Sequence, residues 1–106
     1  MNNVDCSIKH WQVVTFIHDD AKHKVVRGII IDDCRRPFEP GYWVCSTPII
    51  YENFDKNIVQ TKNTLYGLVG EGEFHETDNF EIYDFMYQGL TFQQAKWAVE
   101  NGAETL

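Results

Sequence analysis

The sequence predicts a single α+β domain over residues 1–106, in which an antiparallel sheet of four to five strands precedes two short C-terminal helices. The predicted sheet is a hairpin plus a meander, either open or barrel-like. Runs of β-branched and aromatic residues, separated by turn residues, fill the first two-thirds of the chain and indicate strands. Apolar residues in the last third recur at a spacing of about 3.6, which indicates helices. The chain of 106 residues is 43% hydrophobic, enough for one core.

The first two predicted strands form a β-hairpin. Residues 11–18 and 24–31 are rich in β-branched side chains, and the polar residues 19–22 form the turn between them. A loop of even length pairs His18 with His23, Phe16 with Val25, and Val14 with Arg27. Neither face is purely polar, so we expect both to be partly covered. An uncovered apolar face, made of Val13, Ile17 and Val26, would instead pair two copies of the chain.

The middle third of the chain predicts an antiparallel meander. Residues 32–41 hold two prolines, a glycine and several charges, and are predicted to form a loop. The strands that follow are residues 42–47, 49–51, 57–61 and 64–69, with Lys62 and Asn63 in a tight turn. Pro48 cannot donate a hydrogen bond to a ladder, so the strand beside it is predicted to lie at an edge or to bend.

The last third of the chain predicts two helices. The first begins near Phe80, with Asp78 or Asn79 as its N-cap, and ends at Gly89. Thr91 caps the second helix, which ends just before Gly102. The predicted packing face of the second helix comprises Phe92, Ala95, Trp97, Ala98 and Val99.

Charge is unevenly distributed along the chain. The formal net charge is −7, and residues 54–106 carry nine acids and three bases against seven and six in residues 1–53. Residues 71–84 contain six acids and no base. Such a field repels phosphate backbones and anionic lipids, which argues against nucleic acid and membrane surfaces as partners. A basic protein fits this charge better.

The acidic run is the leading candidate for a binding surface. Aromatic side chains surrounded by charge are common at protein interfaces, and Phe74 and Phe80 flank the acids. The predicted partner-binding residues are Glu71, Glu73, Phe74, His75, Glu76, Asp78 and Phe80. The same acids would also suit an exposed connector before a helix, where they favour its positive N-terminal end. With no convincing catalytic set, the sequence favours a non-enzymatic interaction protein.

The hairpin tip is the one candidate for a metal site. His18 and His23, opposed across the predicted ladder beside Asp19 and Asp20, could supply imidazole and carboxylate ligands. A solvated hairpin tip explains the same residues, and the neighbouring lysines repel a cation. We therefore predict no metal and no cofactor.

A small-ligand-binding or catalytic domain is the alternative function. Its site would lie between the sheet and the helices, with His75, Cys34 or Tyr66 as polar groups. His75 lies among carboxylates, which suits a general acid. Cys34 is followed by two arginines, which would stabilise a thiolate.

Cysteine usage and the absence of sorting signals predict a cytoplasmic protein. Cys6, Cys34 and Cys45 are odd in number and form no C-x-x-C pair, which fits a reducing compartment. Cys6 is expected in a frayed terminus, and Cys45 in a packed strand. The first residues lack the pattern of a secretion signal, and the longest apolar run is too short to cross a bilayer.

Residues 41–95 contain a pattern that resembles short uncharacterised bacterial proteins. The matching residues are Trp43, Val44, Ser46 and Thr47, then Thr61, Asn63, Thr64, Tyr66, Leu68 and Gly70, and finally residues 89–95. Proteins of that kind are often encoded on mobile DNA such as prophages and integron cassettes. The resemblance implies a domain of unknown function from the accessory genome and no particular activity.

Overall fold

The computed structural model describes residues 4–36 and 38–102. The first three residues, used above for the secretion prediction, and Pro37, one of the loop prolines, lie outside the described residues. The described chain contains these strands: β1 Cys6–His18, β2 Ala21–Asp33, β3 Trp43–Cys45, β4 Ile49–Asn53, β5 Ile58–Thr61, β6 Leu65–Leu68 and β7 Glu73–Thr77. Two helices follow, α1 Glu81–Met86 and α2 Phe92–Glu100.

Strands β1 and β2 form the predicted hairpin, but with a shorter turn and a different register. Asp19 and Asp20 alone form the turn, with φ of 47° and 67°, a conformation that aspartate tolerates. The pairs are therefore His18–Ala21, Phe16–His23, Val14–Val25 and Gln12–Arg27. The predicted pairs, which assumed a four-residue turn, were wrong by two positions. A shift of two residues keeps each side chain on its predicted face.

A β-bulge divides β1 into two halves. Between Lys9 and Gln12 the strand holds one more residue than its partner β2, and His10 has a φ of 50°. The extra residue changes the alternation, so Cys6 and Ile8 lie on the same side of the sheet as Trp11 and Val13. Cys6 is buried at the start of β1 rather than in a frayed terminus, which corrects the prediction.

Within residues 4–36 and 38–102 the sheet has seven strands, is mixed and is open, so the prediction of four to five antiparallel strands was an undercount. Its order is β3-β2-β1-β6-β5-β4, with β7 also paired to β1. The first half of β1 pairs in parallel with β6, and the second half pairs in parallel with β7. Among the described residues, β3 pairs only with β2 and β4 only with β5, so the sheet does not close into a barrel. The predicted meander holds only for β4, β5 and β6.

Both faces of the hairpin are covered, each by its own core. The helix-side core comprises Val14, Phe16, Val25, Cys45, Ile82, Phe85, Met86, Phe92, Ala95 and Ala98. The strand-side core comprises Cys6, Ile8, Trp11, Val13, Val26, Ile30, Val59, Tyr66 and Leu68. Val13 and Val26 are buried and Ile17 is half-buried, so the face proposed above for pairing two copies is already occupied.

The helices begin close to the predicted positions. Asn79 accepts a hydrogen bond from the Glu81 backbone through its side-chain oxygen at 2.9 Å, although Phe80 occupies the N-cap. Thr91 caps α2 as predicted, in a capping box with Gln94. Trp97 is 65% exposed, which corrects its placement on the packing face: the buried residues of α2 lie three apart, and Trp97 falls on the opposite side. No helix of the described chain has the length and apolarity to span a bilayer.

Candidate functional site

A polar network joins the sheet to the start of α2. The Glu73 Oε1 atom accepts three hydrogen bonds, from Gln12 Nε2 at 2.8 Å, Gln93 Nε2 at 2.7 Å and His75 Nε2 at 2.8 Å. Glu73 and His75 lie on β7, Gln12 on β1 and Gln93 on α2. Three elements distant in the chain therefore converge on one carboxylate.

Gln12 is the centre of this network. It is 5% exposed, and its Oε1 accepts from the Phe92 backbone N–H at 2.9 Å while its Nε2 also donates to Gln93 Oε1 at 2.7 Å. The His75 ring stacks on the Phe92 ring with centroids 4.2 Å apart. Because buried amides must be hydrogen-bonded, Gln12 holds the first turn of α2 against the sheet.

Glu73 is a strongly stabilised carboxylate. The hydrogen bonds from His75, Gln93 and Gln12 lower its pKa to about 2. All three described bonds fall on Oε1, and the side chain is exposed. Glu73 is therefore ionised at neutral pH and presents a second oxygen to solvent.

Arg27 lies beside this network without a counter-charge. The residue is 7% exposed, and its Nη2 donates to the Gly89 carbonyl oxygen at 2.8 Å. Its Nε has no hydrogen-bond partner in the described chain, and no described carboxylate oxygen comes within 4.0 Å of the guanidinium. Burial lowers the pKa of Arg27. Such an uncompensated charge is costly to bury.

A cleft of about 550 Å³ opens between the sheet and α2. We call it the Arg27 cleft; its lining residues are His10, Trp11, Gln12, Arg27, Glu71, Gly72, Glu73, Thr91 and Gln93. Trp11 forms one wall, since its Nε1 donates to the Gly70 carbonyl at 3.1 Å and a Cβ on Gly72 would collide with its ring. The cleft thus combines a buried cation, two acids and two amides.

A second cleft of about 340 Å³ lies near Arg36. It brings together eight of the strand and turn residues that carry the resemblance to bacterial proteins: Trp43, Val44, Ser46, Thr47, Thr61, Asn63, Thr64 and Tyr66. Three of its polar side chains are hydrogen-bonded within the chain. Ser46 Oγ accepts from the Val26 backbone, and Thr61 Oγ1 accepts from the Thr64 backbone. The Arg36 Nε donates to Asp33 Oδ2 at 2.8 Å. These residues therefore have a structural explanation.

Of the predicted partner-binding residues, Glu73, Phe74, His75 and Glu76 lie on strand β7, and Glu71, Asp78 and Phe80 lie in the connecting segments on either side of it. Alternation along the strand turns Glu73 and His75 toward the helix side and Phe74 and Glu76 toward the other side. Glu71, Glu73, Glu76 and Asp78 are all exposed.

The two predicted aromatic anchors are on opposite sides of the sheet. Phe74 is 60% exposed and packs edge-on against Trp11 and Phe54, with ring centroids 5.5 and 5.1 Å away. Phe80 stacks on Phe16 of the helix-side core at 5.5 Å. The structure therefore brings Phe74, but not Phe80, alongside the strand-side aromatic rings.

The two histidines of the hairpin tip pack on an aromatic ring. His18 and His23 lie 5.7 and 6.3 Å from the centroid of Phe80. No cluster of three or more metal-ligating side chains occurs in residues 4–36 and 38–102. Cys34 is exposed, and its Sγ donates to the carbonyl oxygens of Val4 and Asp5 at 3.4 Å.

Sequence reasoning missed Gln12, Arg27 and Gln93. The available signal was the polar pair Gln12 and Arg27, which interrupts two otherwise apolar strands. A two-residue turn at Asp19 and Asp20 would have placed that pair directly opposite across the ladder. Gln93 gave no comparable signal, because a glutamine in the first turn of a helix is ordinary.

One comparison with known proteins finds a match. A family model described as "Domain of unknown function (DUF6957)" matches residues 3–84. This range contains every described strand and most of the Arg27 cleft, but not α2. No curated protein and no solved structure matches the chain.

Proposed function

The chain belongs to the DUF6957 family, a domain of unknown function, and we propose that it is a non-enzymatic interaction protein that binds an extended basic segment of a partner along strand β7. The observation that carries this proposal is the combination of an open strand edge with exposed acids. β7 pairs with β1 and with no other described strand, and Glu73, Glu76 and Asp78 are exposed along and beside it.

Charge decides which strand can be added to β7. An open edge presents unpaired backbone groups that accept another strand, and acids along it disfavour pairing with a second acidic copy. Strand β7 belongs to the acidic run, residues 71–84, so acids lie along its unpaired edge. A segment bearing Lys or Arg would meet complementary charge and gain the backbone hydrogen bonds of the added strand.

Phe74 supplies an apolar contact beside the acids. Its exposed ring continues the cluster formed by Trp11 and Phe54, whose rings stack 6.4 Å apart. An apolar residue of the bound segment, two positions from a basic one, would pack on this ring, because Phe74 and Glu76 face the same side and alternate residues of a strand do too.

Peptide titration tests the proposal. We expect a peptide in which lysine and valine alternate at every second position, so that both face the same side of the strand, to bind and to shift the NMR amide signals of Glu73–Thr77 more than those of β4, the other long edge. Glu76→Lys/Asp78→Lys should weaken binding by at least about tenfold, and raising the salt from about 50 to about 500 mM should weaken it too. Glu73 is left unchanged because its carboxylate holds α2 in place.

A charge-matched variant provides the control. Asp55→Lys/Glu100→Lys makes the same change in net charge at exposed positions outside β7 and should leave binding unchanged. The proposal fails if the two double variants lose binding equally, or if a peptide with glutamate in place of lysine binds as tightly.

A second candidate function, binding of a small ligand between the sheet and the helices, is favoured by the Arg27 cleft. The buried guanidinium without a counter-charge is the observation in its support. Of the polar groups named from the sequence for such a site, His75 belongs to the adjoining network, whereas Cys34 and Tyr66 lie elsewhere.

We also propose a cytoplasmic location and an origin on bacterial mobile DNA. All three cysteines, Cys6, Cys34 and Cys45, are free thiols, which supports a reducing compartment. The origin is supported only by the resemblance of residues 41–95. Quantifying the protein in fractions of its host cell would test the location.

A further inference from the structure

We propose that the Arg27 cleft binds a small zwitterion of the amino-acid class, with its carboxylate on Arg27 and its ammonium on Glu73 and Glu71. This inference rests on the second candidate function above and names the ligand chemistry for that site. It is carried by two opposite charges that line one cleft without meeting each other.

The anionic end of the ligand is specified by Arg27. A guanidinium has five N–H donors, and the only described bond of this one is to the Gly89 carbonyl. A hydrogen bond to a neutral carbonyl stabilises the fold by less than the burial of the charge destabilises it. The bond to the turn between α1 and α2 therefore does not explain why an arginine occupies this position. A ligand carboxylate would supply the missing counter-charge in the geometry that guanidinium favours.

The cationic end of the ligand is specified by the acids of the same cleft. Glu73 is ionised, and its Oε2 has no described hydrogen bond because the three donors all reach Oε1. Glu71 lines the same cleft and is exposed. These carboxylates would repel a simple anion approaching Arg27, whereas a molecule with an ammonium a few bonds from its carboxylate satisfies both sides.

The network around the cleft makes these positions rigid. Gln12 and Gln93 fix the Glu73 carboxylate from two elements, and Trp11 closes the wall at Gly72. A volume of about 550 Å³ is within the range of small-molecule sites and has room for an amino acid with its side chain. Preorganised charges of this kind bind without having to be ordered first.

Calorimetric titration of the full chain with the free amino acids tests the proposal. We expect at least one amino acid to bind at millimolar concentration or tighter. Its N-acetyl derivative, which lacks the ammonium, and its decarboxylated amine, which lacks the carboxylate, should each bind at least about tenfold more weakly. Arg27→Lys keeps the buried positive charge but not the planar fork and should weaken binding at least about tenfold as well.

Two variants of strand β7 distinguish a specific contact in the cleft from a general effect of the protein's net charge. Glu73→Gln removes the charge but keeps an oxygen that can accept from Gln12 and Gln93, and it should weaken binding at least about tenfold. Glu76→Gln, on the opposite side of β7, is the matched control and should leave binding unchanged. Circular dichroism of each variant verifies that it is folded.

Three results would overturn the proposal that the ligand is a zwitterion. One is that no amino acid binds at about 10 mM, a weak affinity even for a small ligand. Another is that inorganic phosphate or acetate binds as tightly as any amino acid, which would keep a ligand function for the cleft but replace its ligand with a simple anion. The third is an equal loss of binding in Glu73→Gln and Glu76→Gln.

Discussion

Arg27 is buried and Arg36 is half-buried, and the two arginines have opposite surroundings. Arg36 lies just beyond β2, where its Nε donates to Asp33 Oδ2 at 2.8 Å and its Nη2 is 2.6 Å from the same oxygen. Arg27 lies within β2 and has a carbonyl but no carboxylate beside it. The first arginine completes an ion pair of the fold, whereas the second leaves a buried charge for something outside the chain to neutralise.

The Asp33 carboxylate accepts hydrogen bonds on both of its oxygens. Its side chain is fully buried, and its Oδ1 accepts from the backbone N–H groups of Arg35 and Arg36 at 3.0 and 2.9 Å. Burial raises the pKa of Asp33, but the hydrogen bonds from Arg36 and from these backbone groups outweigh it, so the pKa is lowered overall. The end of β2 and the loop after it therefore supply both the charge and its partner.

Removing the Asp33 carboxylate from its pair with Arg36 should have the largest effect on the free energy of unfolding. Asp33→Asn leaves Arg36 without its counter-charge and should lower the free energy of unfolding by about 3 kcal/mol. Urea denaturation measures this change. Asp32→Asn, at the exposed neighbouring position, is the control and should change stability by less than about 0.5 kcal/mol. Equal losses in the two variants would mean that the Asp33–Arg36 pair contributes nothing specific.

The same substitution at the two arginines should have effects of opposite sign. Arg27→Met removes a desolvated charge at the expense of one bond to Gly89, and should raise the free energy of unfolding by about 1 kcal/mol. Arg36→Met leaves Asp33 buried and unpaired and should lower it. Thermal and urea unfolding of both variants without ligand measure the difference. If Arg27→Met proves as destabilising as Arg36→Met, Arg27 has a structural role and does not differ from Arg36 in this way.

The smallest expected effect is on the free energy of unfolding at acidic pH. Glu73 has a pKa of about 2 when folded, below the value of about 4.3 for an unfolded glutamate. Its contribution is therefore present above about pH 4.3 and is lost as the pH falls toward 2. Glu73→Gln should flatten the fall in stability across this window, measured by urea unfolding from about pH 5 to about pH 2. A profile unchanged from wild type, or an equal flattening in Glu76→Gln, would contradict this role.

Part of the candidate site could be predicted from the sequence. Glu73 and His75 were recognised because acids and a histidine cluster within a few residues of chain. Arg27 and Gln12 belong to different strands, so they become neighbours only if the hairpin turn is assigned correctly. The participation of Gln93 depends on where α2 docks, and no pattern within residues 91–100 indicates that position.

The fold shows the same division. The β-branched runs of the hairpin, the Thr91 cap of α2 and the excess of acids after residue 70 are local patterns, so they are recognisable without the fold. The bulge at His10, the parallel pairing of β1 with β6 and β7, and the exposure of Trp97 were decided only in the tertiary structure. The parallel pairings join residues about sixty positions apart, such as Gln12 and Glu73. Local periodicity shows which residues favour a strand or helix, but the strand's partner, direction and covered face depend on the shared core that the distant segments build.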